Sequence, residues 1–214
     1  MKKLVIFIFM LVCLFCNSVM CFAYSKITTE YDEKDNKIVH TYEQTYRLGT
    51  SEKVTNVLAT FNYDKRYEFN EDFDSNTQLC KPSDMIFVFI VDYANRLKYI
   101  KDEIVLIELG TGKRTIVPIT LKKTHYRDDN SDAVSFALWP DDNPEFINMV
   151  LADKPFKLSF NFSVEPARGI AENLDFDFDR EELDKLKSVI DYDLYSDPLQ
   201  TENIKRAIAT ILVN

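Results

Sequence analysis

The chain is short of the residues from which most catalytic centres are built. Its 214 residues include two His, one Trp and four Gly. No G-x-S-x-G elbow, H-E-x-x-H pair or phosphate-cradling glycine loop occurs, and residues 24–214 hold no C-x-x-C spacing. His40, His125 and Cys80 alone cannot furnish a His-rich zinc site. A Cys80 dyad with either histidine is arithmetically available but has no surrounding signature. Basic residues are also scarce, 26 Lys and Arg against 35 Asp and Glu, for a net charge of −9. With no long Lys/Arg run to offset that balance, the chain is unsuited to phosphate backbones or anionic lipid, which excludes nucleic acid as a partner.

Disulfides are excluded by count. Cys13, Cys16 and Cys21 fall within the first 23 residues, which leaves Cys80 without an internal partner. The fold must therefore be held by core packing. Cys80 reads as a structural thiol near the start of a strand; a nucleophile or an intermolecular bridge are its alternatives.

What is present begins at the N-terminus. Met1-Lys2-Lys3 is a basic head, residues 4–16 are an unbroken apolar run of 13, and Cys21-Phe22-Ala23 sets small residues three and one positions before Tyr24. This is the layout of a secretory signal peptide with cleavage after Ala23. A membrane span needs about 20 apolar residues, reached here only by including Asn17 and Ser18, so an uncleaved anchor is the alternative. Lipid attachment at Cys21 is disfavoured by the bulky Met20. The expected location is secreted or periplasmic, with no membrane span after cleavage. Residues 24–214 then carry 24 basic and 35 acidic side chains, a charge of −11, which serves solubility.

Hydrophobic periodicity predicts a mainly β (α+β) fold: an antiparallel β-sandwich-like domain with a short inserted helix and two C-terminal helices. The expected organisation is a signal peptide over 1–23, the sandwich-like domain over 24–172, and a helical extension over 173–214 docked on the same domain. Residues 27–31 alternate, and after a turn Ile38, His40, Tyr42, Tyr46 and Leu48 share one face, which predicts a hairpin. Residues 51–61 fit either a helix or a strand. Residues 62–83 read as a long polar excursion with interspersed aromatics. The apolar run 85–91 predicts a central strand buried on both faces. Strands follow over 97–100, 104–109, 115–123 and 133–138, with a tight turn at Gly110-Thr111-Gly112-Lys113. Asp142-Asn143-Pro144-Glu145 opens a short helix, and 156–164 returns to alternation. Asp179 with Glu182 three residues later predicts a capped helix along Leu183, Leu186, Val189 and Ile190. A last helix starts at Asp197-Pro198 or Thr201, with its stripe on Ile204, Ala207, Ile208, Ile211 and Leu212.

Few side chains invite a functional role. Tyr63, Tyr67 and Trp139 are candidates to stack on sugars or anchor a partner, and His125 is the better exposed histidine candidate. His40, on the apolar face of the first hairpin, reads as a satisfied core or rim residue. Oxygen donors alternate in Asn173-Leu174-Asp175-Phe176-Asp177-Phe178-Asp179, the opening of a calcium loop. Yet Arg180 or Phe178 stands where such a loop needs Gly. The competing reading is an edge strand with both Phe inward, the carboxylates outward and Asp179 capping a helix. Asp128 to Asp132 form a second, solvated acidic loop.

Residues 85–164 are similar to a pattern in small secreted bacterial β-rich proteins of unknown function. The similarity is carried by Arg96-Leu97-Lys98-Tyr99-Ile100 and by 104–114 with its Gly-Thr-Gly-Lys-Arg turn, although Leu97 stands where that pattern has Trp. The resemblance implies a β-sandwich-like fold and carries over no site residue. Together these features predict an exported, non-enzymatic binding or interaction module of the bacterial envelope or exterior, taking an unidentified protein or small ligand. The alternatives are a secreted carboxylate-dependent hydrolase acting on carbohydrate and a calcium-dependent module using Asp175, Asp177 and Asp179.

Overall fold

A computed structural model of the chain describes residues 22–48, 57–70, 80–92, 97–118, 124–127, 132–142, 144–164 and 171–213. The expected signal segment up to residue 21, residues 51–56 and the acidic loop 128–131 lie outside the described residues. In chain order the strands are β1 (Phe22–Asp32), β2 (Lys37–Leu48), β3 (Val57–Glu68), β4 (Pro82–Asp92), β5 (Leu97–Glu108), β6 (Arg114–Pro118), β7 (Thr124–Arg127), β8 (Asp132–Leu138), β9 (Phe156–Val164) and β10 (Ala171–Phe178). The helices are α1 (Pro144–Leu151), α2 (Arg180–Ile190) and α3 (Thr201–Val213), with short 3-10 turns at Pro140–Asp142, Leu194–Ser196 and Pro198–Gln200.

The fold is mainly β. One sheet has six strands in the order β1-β2-β3-β4-β8-β7, the other four in the order β10-β9-β5-β6, and their pairings are antiparallel. Period-two burial explains why they face each other. On β2, Ile38, His40, Tyr42, Gln44 and Tyr46 point inward and are buried. On β9 and β10, buried Phe156, Leu158, Phe160, Leu174, Phe176 and Phe178 alternate with Lys157, Asp175 and Asp177. Rings meet across the layers: Phe61 and Phe176 at 5.8 Å, Tyr46 and Phe176 at 5.1 Å, Phe136 and Phe160 at 6.2 Å. Polar bonds tie the same edge. Gln44 Nε2 donates to the Asp177 carbonyl at 2.8 Å, and the Asp177 N–H donates to Tyr46 Oη at 3.0 Å.

The helices close the sandwich. Phe146 and Val150 of α1, with Leu183, Leu186 and Val189 of α2, belong to the main core. Asp179 caps α2 by accepting from the Glu182 N–H at 3.0 Å. The Glu182 carboxylate does not return to the cap; it takes Ser25 Oγ at 2.8 Å and Tyr42 Oη at 2.5 Å, pinning the helix to β1 and β2. A second cluster of Ile38, Tyr67, Phe69, Cys80, Leu194 and Ala207 seats α3 and the segment before it. Asn36 is the keystone there. It accepts the left-handed φ of 47° that Asn tolerates, and its Nδ2 donates to the carbonyls of Phe69 (2.8 Å) and Ala207 (3.1 Å).

Three local expectations need correction and one ambiguity is settled. Residues 62–68 are no excursion but the second half of β3, because Phe61, Tyr63, Tyr67 and Phe69 alternate inward. Residues 57–61 belong to the same strand, which settles that part of the ambiguous stretch as β. The expected pair of strands at 97–100 and 104–109 is one strand, β5, whose register shifts between Ile100 and Ile104; such irregularities absorb an off-pattern polar insert such as Lys101-Asp102-Glu103. Leu212 is 80% exposed and lies outside the buried stripe of α3.

Candidate functional site

Three of the residues singled out from sequence fall at one end of the sandwich. Tyr63 and Tyr67 lie on the inward face of β3 with Lys65 between them, and Asp84 of β4 stands opposite Lys65 in the ladder. Trp139 follows β8 and precedes the turn that carries Asp141; the Asp142 N–H donates to the Trp139 carbonyl at 3.1 Å. Their exposures differ sharply. Trp139 is half exposed, whereas Tyr63 and Tyr67 are buried, so neither tyrosine offers a ring face to a sugar. They act instead through their hydroxyls. Tyr63 hydrogen-bonds Asp84, and burial pushes its phenol well above the usual range. Tyr67 Oη donates to the Tyr192 carbonyl at 2.9 Å.

Asp84 is the most perturbed carboxyl at this end. Burial pushes it above its ordinary value, the Tyr63 hydrogen bond and the Lys65 charge pull it back, and Asp141 adds to the rise. Its Oδ1 is buried with no hydrogen-bond partner among the described residues. Lys65 is committed elsewhere, donating through Nζ to the Ile190 carbonyl at the C-terminus of α2, where a cation complements the helix dipole.

The network continues into the C-terminal segment. The His40 and Tyr192 rings stack at 3.6 Å, His40 Nδ1 bonds Thr29 Oγ1 at 2.7 Å, and Tyr192 Oη donates to Asp197 at 2.9 Å. His40 is thus a satisfied buried histidine, and burial lowers its pKa. Cys80 is buried two residues before β4 and donates to the Glu68 carbonyl. Burial pushes its thiol up to about 11, which leaves it protonated and unreactive. His125 stands in β7 opposite Val134; its side chain is outside the described residues.

The alternating acids lie on an edge strand. Asp175 accepts Lys157 Nζ at 3.0 Å and Ser159 Oγ at 2.6 Å, Lys157 also reaches Asp177 at 3.3 Å, and Asp179 caps α2. Among the described residues no three His, Cys, Asp or Glu side chains converge as a metal-ligand set.

Three cavities bear on ligand binding. The first is a void of about 10 Å³ inside the core, lined wholly by apolar side chains including Phe61, Ile104 and Leu158. It offers a water no hydrogen bonds. The second, about 410 Å³, lies between the β1–β2 turn (Glu33 to Asn36) and the end of α3 (Thr210, Ile211). The third, about 330 Å³, opens between the β5–β6 hairpin and α1. Leu106, Met149 and Ala152 line it together with Glu108, Lys113, Thr115, Glu145, Asn148 and Lys154. Lys154 pairs with Glu108 at 3.5 Å. This third groove combines an apolar lining with polar groups of both signs, the pattern of an orienting site. None of its residues was marked by the sequence, because no motif joins a hairpin turn to a helix some thirty residues on. Asp84, whose pKa burial raises, lines neither surface groove.

No protein-family model, curated protein or solved structure matches this chain.

Proposed function

We propose that the chain is an exported, non-enzymatic binding module that holds its ligand in the groove between the β5–β6 hairpin and α1. The observation that carries the reading is the groove's composition: apolar Leu106 and Met149 beside Glu145, Asn148 and Lys113. Its volume, about 330 Å³, falls within the usual range of small-molecule sites. Export is supported by the basic head and the short apolar run; cleavage after Ala23 leaves Tyr24 paired with Thr45 in β1. Among the described residues no helix is long and apolar enough to cross a membrane. The test is thermal melting of residues 24–214 against a panel of sugars and short peptides, for wild type and Met149→Trp. A ligand of the groove raises the melting temperature of wild type and not of the filled variant. A shift that survives Met149→Trp, or a flat panel, counts against the reading.

A second reading, a carboxylate-dependent hydrolase, is favoured by one observation: Asp84 is raised and lies near Asp141. It requires turnover of a polysaccharide by wild type that is lost in Asp84→Asn.

A further inference from the structure

The hairpin that borders the groove ends the four-stranded sheet. Among the described residues β6 has one strand neighbour, β5. The direction of its backbone groups follows from the turn. The Glu108 N–H donates to the Lys113 carbonyl at 2.9 Å and the Glu108 carbonyl accepts the Gly112 N–H at 2.8 Å, which makes Glu108 and the Gly112-Lys113 bulge a hydrogen-bonded pairing. Such pairs alternate along an antiparallel ladder, so Leu106 with Thr115 is the next one. Ile107 with Arg114 and Val105 with Ile116 are the pairs between. Arg114 and Ile116 therefore turn their N–H and C=O groups away from β5.

Their side chains make the edge more than a row of open amides. Ile116 is 59% exposed, a large apolar residue on a short edge strand, where proteins ordinarily place a charge or a proline. Pro118 guards only the last position of the strand. Lys113 and Arg114 are exposed, and among the described residues neither has a carboxylate partner, since nearby Glu108 is taken by Lys154. In a chain with a net charge of −9, this is a local basic corner. Thr115 points to the other face and lines the groove. A strand laid along β6 would place alternate side chains beside Ile116 and beside the groove.

We propose that the β6 edge docks an extended segment of a partner polypeptide as a fifth strand of the four-stranded sheet, with an acidic residue beside Lys113 on the groove face and an apolar one against Ile116 on the opposite face. The proposal rests on the binding-module reading and names the class of its ligand. It differs from self-association, because the β6 of a second copy, Arg114-Thr115-Ile116-Val117-Pro118, brings no acidic side chain to Lys113.

The test uses residues 24–214 and blocked peptides alternating Val with Glu, or Val with Lys. Amide exchange is read by NMR, and affinity by titration. In the free protein the Arg114 and Ile116 amides should exchange fast and those of Leu106 and Thr115 slowly. The Val/Glu peptide should slow Arg114 and Ile116, and the Val/Lys peptide should not. Ile116→Pro removes an outward donor without touching the ladder to β5, so the variant should fold and bind about fivefold to tenfold more weakly, the worth of one lost hydrogen bond. Lys113→Glu should weaken the Val/Glu peptide, and Arg114→Glu, on the opposite face, should weaken it less. Arg114 and Ile116 amides already protected in the free protein, equal binding by Ile116→Pro, or a dimer in sedimentation would each overturn the proposal. Binding abolished by Met149→Trp yet indifferent to Ile116→Pro would leave the groove standing and remove the strand. Binding indifferent to both substitutions would remove the groove as well.

Discussion

Replacement of Phe178 by Ala tests whether the two sheets and α1 share one core. The Phe178 side chain is fully buried and is the last inward residue of β10. Four rings surround it: Phe156 stacked at 4.6 Å, Phe61 edge-on at 5.1 Å, and Tyr42 and Phe146 each at 6.2 Å. They come from β9, β3, β2 and α1, so one truncation opens a hole where both layers and the helix meet. Losing a buried Phe to Ala costs about 3–5 kcal/mol, the transfer term plus the residual cavity. Aromatic pairs add roughly 0.5–1.5 kcal/mol each, which places this site in the upper half of that range. Native stability is about 5–15 kcal/mol, so the variant should remain folded but weakened. At about 2–4 °C per kcal/mol for a chain of this size, melting should fall by about 6–20 °C. The assay is urea unfolding of residues 24–214, reading the midpoint at an unchanged m-value. Ile116→Ala, on an exposed side chain, serves as the control and should stay within about 0.5 kcal/mol of wild type. If Phe178→Ala fails to fold, Phe178→Leu keeps most of the volume and should cost about 1–2 kcal/mol. A loss below about 1.5 kcal/mol for the Ala variant would mean the rings do not form one packed unit, and the shared-core argument would fall.

Asp179→Ala removes the cap of α2 and should cost about 1 kcal/mol, with Asp179→Asn close to wild type; equal stability of all three by urea unfolding would show that the cap bond contributes nothing. His40 predicts a pH dependence. Burial depresses its folded pKa below the ordinary 6.5, Asp197 opposes the shift and Lys65 adds to it, so the folded state prefers the neutral ring. That contribution is complete above pH 6.5 and is lost as pH falls through the folded value. Urea midpoints at about pH 8 and about pH 5 should therefore diverge in wild type and converge in His40→Gln, and parallel profiles would refute it.

The architecture was legible wherever one periodicity ran without interruption. The alternation of Phe156, Leu158 and Phe160 fixed β9 to its ends, and Asp179 with the stripe Leu183, Leu186 and Val189 located α2. The edge strand of alternating acids was also readable, because Phe176 and Phe178 needed a core and their neighbours did not. Only part of β3 was legible, for a definite reason. Asp64, Lys65, Arg66 and Glu68 make its second half look like a loop, and Lys65 sits on the inward face. A half-buried lysine on that face is tolerable because its amine reaches the Ile190 carbonyl at the end of α2, an arrangement that exists only after the helix has docked. Composition registers the lysine and cannot register the carbonyl.

The polar end of the sandwich shows the same limit more sharply. Tyr63, Tyr67 and Trp139 stand out in the sequence for their rings, yet what distinguishes this end is Asp84 opposite Lys65. That pairing depends on the register between β3 and β4. A slip of one residue would set Asp84 opposite Asp64 or Arg66 and turn it to the outer face. The register is held by Phe61, Tyr63, Ile86 and Val88, all buried on the inward side. Core packing therefore decides which charges meet. The groove beside α1 obeys the same logic: Met149 faces it because Phe146 and Val150 are committed to the core. The surface is the remainder of the packing problem, so in a chain without catalytic motifs its chemistry becomes readable only once that problem is solved.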